Sequence, residues 1–371
     1  MSNGLDGVIA AETVLSQVDG EAGRLIYRGH AVEELAGRVS FEAVAALFWS
    51  GFTQAPIDAA SIGASMGEAR QRAAVIAAPL LPHTDGLSPI EALRLLLAAL
   101  GDHEAIPHHI LATAAMPVFT AAIARHQAGL APVPPDPSLG HAADLLRSLR
   151  GTPATPIEIA ALDTYLVTIL DHGLNASTFA ARVVASTRAG MFSAVVAALS
   201  ALKGPLHGGA PGPVLDMLDA IGSEANIDPW LTAAIEEGGR LMGFGHRIYR
   251  VRDPRGDVLK QVATKLRGGA NSIAFAELVE RRALALLALR KPGRHLDTNV
   301  EFYTALVLDA LALPRALFTP IFAVGRVVGW TAHILEQERS GRIIRPQSRY
   351  IGPMPAGPDS QPHERLAARA G

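Results

Sequence analysis

Ala and Leu recur along almost the whole chain, while stretches that alternate apolar and polar residues with period two are scarce. Apolar surface patterned this way is buried on helix faces rather than on the two faces of a sheet. Helices are read at 41–48, 90–100, 142–149, 156–170, 191–202, 229–241, 272–289, 300–311 and 320–337. Some have recognisable starts. Ser40 precedes one with Glu42 in its first turn, and Ser88 precedes Pro89 at the first helical position, with Glu91 close behind. The breaks are a Pro-rich loop at 129–140, a Gly/Pro-rich loop at 204–213 and a polar turn at 253–257. A short hairpin is expected near the start, around Arg24 to Arg28, and 351–371 reads as a surface tail. No internal repeat of fixed period is present. The expected class is all-α.

At 371 residues the chain has room for two domains or one large one, and with 49% hydrophobic and 18% charged residues it has ample material for a core. A formal charge of -2 gives neither a nucleic-acid footprint nor a strongly acidic tail. The absence of cysteine excludes disulfides, thiolate metal sites and a cysteine nucleophile, and it fits a reducing, cytoplasmic setting. The first residues carry no basic segment followed by an apolar one, so no secretory signal is expected. The apolar stretches at 110–124 and 191–202 fall short of a bilayer span, and the first contains Pro117; both read as buried helices.

Several motif-like strings are set aside. Gly63-Ala64-Ser65-Met66-Gly67 spells a nucleophile elbow but lacks the preceding strand that an elbow requires. Asn175-Ala176-Ser177 and Arg255-Gly256-Asp257 match a glycosylation sequon and an adhesion tripeptide without supporting context. His103, His108 and His109 fit no zinc spacing and read as a solvated helix end. No dinucleotide or P-loop fingerprint occurs.

Five segments put polar groups where a plain helical protein would not need them. They are Asp171 to Thr178, Lys203 to Ala210 around His207, Met242 to Arg255 around His246, Asn299 to Tyr303 around Glu301, and the apolar helix that carries Arg326 as its one formal charge between 320 and 335. Each has an ordinary reading. A loop histidine is commonly a capping or solvated residue, and Glu301 would favour a helix N-terminus. Arg326 is harder to explain that way. Phe322 and Trp330 flank it at i−4 and i+4, and a buried guanidinium needs an anion. That anion is either an internal carboxylate or a substrate.

Together these segments resemble the citrate synthase family over nearly the whole chain. The opening Ser16-Gln17-Val18-Asp19-Gly20 and Leu25 to His30, then Gly204-Pro205-Leu206-His207-Gly208-Gly209, Gly243-Phe244-Gly245-His246 and Asp253-Pro254-Arg255, stand in the family's order. The resemblance implies an all-α fold in which a small domain, here 209–311, closes over a large domain made of 1–208 and 312–371. The hinge would lie at Gly208-Gly209. It implies condensation of acetyl-CoA with oxaloacetate, without metal or cofactor. Glu301 would be the base, His207 the donor to the thioester oxygen and His246 the donor to the ketone. His172, Arg255, Arg326 and Arg345 would bind oxaloacetate, Arg345 reaching across from the partner subunit. Arg250, Lys291 and Arg294 would meet the CoA phosphates. The length resembles the short, typically homodimeric forms, without the extended N-terminal region of the larger NADH-regulated forms. Two departures stand out: Glu301 where the best-known members have Asp, and Pro211 where an Asn is usual. Propionyl-CoA in a 2-methylcitrate synthase, or a weakly active paralogue that binds metabolites, are the alternatives that the departures leave open. No nucleic-acid or membrane partner is expected.

Overall fold

The computed structural model describes residues 4–5, 7–53, 58–207, 211–246, 248–266, 273–293 and 296–354. The chain begins with a small antiparallel sheet of β1 (Ser16–Asp19), β2 (Arg24–Tyr27) and β3 (His30–Ala31), in that order. Ser16 pairs with Tyr27 and Asp19 with Arg24, so the hairpin expected around 24–28 reaches back to Ser16. Helices follow: α1 (Val32–Leu35), α2 (Phe41–Trp49), α3 (Ala59–Ala77), α4 (Pro89–Ala98), α5 (His108–Gln127), α6 (His141–Arg150), α7 (Pro156–Thr168), α8 (Ala176–Ala185) and α9 (Met191–Leu202). The rest are α10 (Pro211–Ile221), α11 (Ile227–Glu236), α12 (Pro254–Ala263), α13 (Ile273–Arg290), α14 (Val300–Ala310) and α15 (Phe318–Ser340). The all-α expectation holds.

The start signals act as the sequence suggests. Ser40 Oγ accepts the Ala43 amide at the head of α2, and Glu91 reaches back to the Ser88 amide at 3.1 Å at the head of α4. Some boundaries differ. The helix read at 229–241 spans Ile227–Glu236, where the Glu236-Glu237-Gly238-Gly239 run ends it. Part of the loop read at 204–213 is the first turn of α10, because Pro211 and Pro213 need no amide partner there. Gly63 to Gly67 lies inside α3, so the elbow-like string has no strand before it. His103 is exposed as expected, but His109 is not a solvated residue. It is buried edge-on against Trp49, with ring centroids 4.8 Å apart.

Helix α15 runs through the core, packed against α2, α5, α7, α8 and α9. It is long and apolar enough to cross a membrane by length and composition, yet 94% of that apolar window is buried in the protein. Two of its glycines, one turn apart, let it press onto the end of α7. A Cβ on Gly325 would lie 2.7 Å from the Ile169 side chain, and one on Gly329 would lie 2.4 Å from the Leu170 carbonyl oxygen. Only a residue without a side chain fits at that separation. Arg326 sits between these glycines, and its Nε donates to the Ile169 carbonyl at 2.6 Å.

Among the helices after α9, α10 and α12 pack on α14, and α11 packs on α13. Helices α12 and α14 also meet α7. That contact brings the polar segments at their N-termini towards the 169–178 segment that follows α7.

Candidate active site

Three helices begin inside the polar segments, each with a side-chain cap. Asn175 Oδ1 accepts the Ser177 and Thr178 amides, both at 3.1 Å, at the head of α8. Asp253 Oδ1 accepts the Arg255 amide at 3.1 Å at the head of α12, with Pro254 in the first turn. Asn299 Oδ1 accepts the Glu301 amide at 3.0 Å at the head of α14. The caps fix where Ser177, Arg255 and Glu301 leave the backbone.

The Gly243-to-His246 turn is strapped to the head of α14. Gly245 donates to the Asp297 carbonyl at 2.8 Å, Asn299 donates to the Gly243 carbonyl at 2.9 Å, and Asn299 Nδ2 donates to the Gly245 carbonyl at 2.8 Å. Gly243 and Gly245 have φ of 84° and 78°, which L side chains rarely adopt, and a Cβ on Gly243 would lie 2.9 Å from Phe302. His246 and Glu301, 55 positions apart in sequence, therefore belong to one braced unit.

His246 joins His172 and Arg255 around Tyr249. The His172 and His246 rings lie 5.4 Å apart, edge to face, and the Tyr249 ring is 4.8 Å from His246 and 5.6 Å from His172. The Arg255 guanidinium carbon lies 5.9 Å from the Tyr249 ring centroid. Arg255 also forms a two-pronged pair with Asp253, Nε to Oδ1 at 3.0 Å and Nη2 to Oδ2 at 2.8 Å. The same Asp253 Oδ2 accepts the Val300 amide at 3.2 Å, which ties α12 to α14.

His207 reaches the group through the head of α8. The Ser177 amide donates to its Nε2 at 3.3 Å, and Ser177 Oγ is 2.8 Å from the same nitrogen. Ser177 Oγ also receives the Trp330 indole N–H at 3.1 Å, one turn beyond Arg326 on α15.

Burial and charge set the protonation states. Burial, then the nearby Arg326, takes the His207 imidazole down to about 4. Burial, then Arg255, does the same to His246, also to about 4. Burial and the surrounding cations hold His172 well below its ordinary value. All three are neutral at pH 7, so each has one donor nitrogen and one acceptor nitrogen. A backbone amide can only donate. The Ile248 and Tyr249 amides, at 3.0 and 3.1 Å, make His246 Nδ1 the acceptor and leave its proton on Nε2.

Glu301 is the opposite case. Burial pushes its carboxyl up to about 7, opposed by Arg255 and Arg326 and assisted by Asp253. Its Oε2 is buried and has no hydrogen-bond partner. Arg326 is 2% exposed and lies 4.6 Å from the Phe322 ring, and among the described residues it makes no ion pair with a carboxylate. Burial lowers its affinity for its proton, and Asp171 only partly restores it.

The sequence-predicted residues therefore separate into two groups. His172, His207, His246, Arg255, Glu301 and Arg326 are drawn together by shared hydrogen bonds, ring contacts or electrostatic influence. Arg250 and Arg345 are exposed, the latter in the extended segment after α15, and Lys291 is partly exposed just past the end of α13. Arg294 and the Gly208-Gly209 junction lie outside the described residues. Sequence reasoning gave no role to Ser177, Tyr249 or Asn299. Asn-x-Ser and Asn-x-Glu at helix starts were the available signals for the first and last. Tyr249, three residues beyond His246, had none. Two other cavities, of about 580 and 770 Å³, are lined by none of the clustered residues.

Known proteins match this arrangement over nearly the full length. The family model for the citrate synthase C-terminal domain matches residues 4–347. A citrate synthase of Haloferax volcanii is 38% identical, with 95% of this chain and 96% of the relative covered. A 2-methylcitrate synthase of Mycobacterium tuberculosis is 34% identical, with 95% and 91% covered. The solved structure of the Thermoplasma acidophilum citrate synthase in ternary complex with carboxymethyl coenzyme A and oxaloacetate superposes with a TM-score of 0.83 at 29% identity, covering 98% of each chain. The fold, the ordered motifs and these matches agree, and the chain belongs to the citrate synthase family.

Proposed function

We propose that the protein joins the α-carbon of acetyl-CoA to the ketone carbon of oxaloacetate and then hydrolyses the new thioester, giving citrate and CoA. The observation that carries this reading is Arg326, a buried guanidinium with no carboxylate partner among the described residues, beside three neutral imidazoles. Such a centre has an unmet demand for an anion, and a dicarboxylate with a hydrogen-bond-accepting ketone meets it.

In this reading Arg326 and Arg255 take the two carboxylates, with His172 beside them and Arg345 supplied by the partner subunit of a homodimer. Asp253 already occupies two prongs of Arg255, which fixes the plane of its remaining donors. Glu301 removes the α-proton of the thioester. Its pKa near 7 suits a base working at neutral pH, and its unpartnered Oε2 is available to receive the proton. The His207 imidazole N–H stabilises the enol oxygen as charge develops there. The enol carbon attacks the ketone, whose oxygen is held by the His246 Nε2 proton; the new alkoxide takes that proton and the α-proton held by Glu301 is returned to the imidazole, so both groups end the step as they began it. Water then cleaves the acyl-CoA intermediate. Arg250, Lys291 and Arg294 would meet the CoA phosphates. The unit 209–311 would close on the rest about Gly208-Gly209 and exclude water until hydrolysis. The reading includes a cytoplasmic location.

A relative at 34% identity is a 2-methylcitrate synthase. Propionyl-CoA differs from acetyl-CoA by one methyl group, which an apolar pocket separates by only about 1–3 kcal/mol, so it is the second substrate to test. Purified protein is given oxaloacetate with each acyl-CoA, and free thiol is followed. Thiol release that requires both substrates is expected, and the faster acyl-CoA identifies the preferred reaction. No release with either thioester, at protein concentrations where oxaloacetate binds, would leave a metabolite-binding paralogue. Release without oxaloacetate would make the protein a thioesterase.

A further inference from the structure

We infer that Tyr249 is the positioning residue of the ketoacid pocket, holding the two imidazoles in the tautomers and orientations that the substrate needs. The inference rests on the assignment of His172 and His246 to oxaloacetate given above.

Three separate contacts converge on this residue. Its backbone amide donates to His246 Nδ1 at 3.1 Å, which keeps the His246 proton on Nε2. Its phenol oxygen lies 3.3 Å from His172 Nε2. Its ring lies against both imidazoles and within 5.9 Å of the Arg255 guanidinium carbon. The side chain is 2% exposed, and a buried phenol needs a hydrogen-bond partner. His172 Nε2 provides it.

The direction of that hydrogen bond follows from the chemistry of the two groups. Burial raises the phenol above its ordinary value, so it keeps its proton. Burial keeps His172 neutral. A phenol O–H is the better donor of the pair and an unprotonated imidazole nitrogen the better acceptor. The phenol therefore donates to Nε2, and the His172 proton resides on Nδ1, where it is left to donate to a substrate oxygen. Without the phenol nothing in this contact selects Nδ1–H over Nε2–H, and a fraction of the pocket would present a lone pair to an anion. A tyrosine that served only to fill the core would make the same ring contacts, but the loss of its hydroxyl would leave the ligand's affinity alone.

The test is Tyr249→Phe, which keeps the ring and the backbone amide and removes only the hydroxyl. Oxaloacetate KM should rise about tenfold, the scale of one hydrogen bond to a charged ligand, with the acyl-CoA KM and the melting temperature close to wild type. Tyr249→Leu, which also removes the ring, should lower kcat as well, because His246 and Arg255 lose their packing. In parallel, nitrogen-15 spectra of histidine-labelled protein report the tautomer directly. Wild-type His172 should show Nδ1–H, and the Phe variant a mixture or Nε2–H. The inference is overturned if the Phe variant keeps its oxaloacetate KM, if its loss falls equally on both substrates together with a drop in melting temperature, or if the His172 tautomer is unchanged. The spectra need no turnover. A wild-type protein inactive towards oxaloacetate would therefore count against the proposed reaction, while the tautomer measurement would still decide the role of Tyr249.

Discussion

Glu301 is a buried carboxyl held near neutrality, and its function and its cost to stability have opposite signs. Its pKa is raised from 4.5 to about 7, chiefly by burial. As the reaction base it must be ionised, so kcat/KM should fall as pH drops through about 7, by about tenfold per unit on the acid limb. His207 and His246 are already neutral there and add no limb above about 4. For stability, a raised folded-state pKa means that the favourable contribution is complete below the unfolded value and is lost as pH rises through 7. Glu301→Gln removes that penalty. At pH 8 the variant should be more stable than wild type by roughly 1–3 kcal/mol, bind oxaloacetate, and turn over at a small fraction of the wild-type rate. A pH–rate profile and urea melts at pH 5 and pH 8 check both halves. Wild-type turnover in the Gln variant would remove Glu301 from the role of base.

At the scale of elements, the site exists because α15 can approach the end of α7. Gly329→Ala places a Cβ 2.4 Å from the Leu170 carbonyl oxygen and 2.7 Å from Asp171 Oδ1, so α15 must shift. The variant should lose about 1–3 kcal/mol of stability. Oxaloacetate affinity should also fall, because Arg326 moves with the helix and loses its 2.6 Å bond to Ile169. Thermal melts and oxaloacetate titration read the two effects. The sequence made some of this legible. Arg326 stood out as a lone charge between aromatic residues in an apolar helix, and the heads of α4, α7 and α9 matched their propensities closely. Helices α1, α3, α8, α10 and α12 were not read. The starts of α8, α10 and α12 contain Asn, Pro and Gly, which serve loops and helix caps alike, and the local caps made by Asn175 and Asp253 decide for a helix at α8 and α12. Tyr249 was invisible for a different reason. Its role lies in touching His246 and Arg255 of its own segment and, at the same time, His172 in a distant one, a juxtaposition that no local spacing encodes.

At the scale of the whole molecule, Arg345 lies exposed on the extended segment after α15, where the neighbouring Ile344 amide donates to Ser186 Oγ at 3.0 Å. In the proposed homodimer this arginine completes the partner's site. His246→Ala and Arg345→Ala chains would each be inactive alone. Unfolded together in equal amounts and refolded, about half the dimers should be mixed, and each mixed dimer has one whole site, so activity should return to about a quarter of wild type. With refolding and exchange of wild-type chains verified alongside, no recovery would make Arg345 an intrachain or surface residue.

Arg326 is buried without a carboxylate partner among the described residues, and in the proposed reaction a substrate carboxylate supplies one. Thermal unfolding of wild type and Arg326→Leu, each with and without oxaloacetate, decides whether it does. Without ligand the apolar replacement removes a desolvated charge and fits the space beside Phe322, so the two proteins should melt within roughly 3 °C of each other. Saturating oxaloacetate should raise the wild-type melting temperature and leave the variant where it was. A variant that loses much of its stability without ligand, yet gains as much from oxaloacetate as wild type, would make Arg326 a structural residue of the core and not a ligand of the substrate.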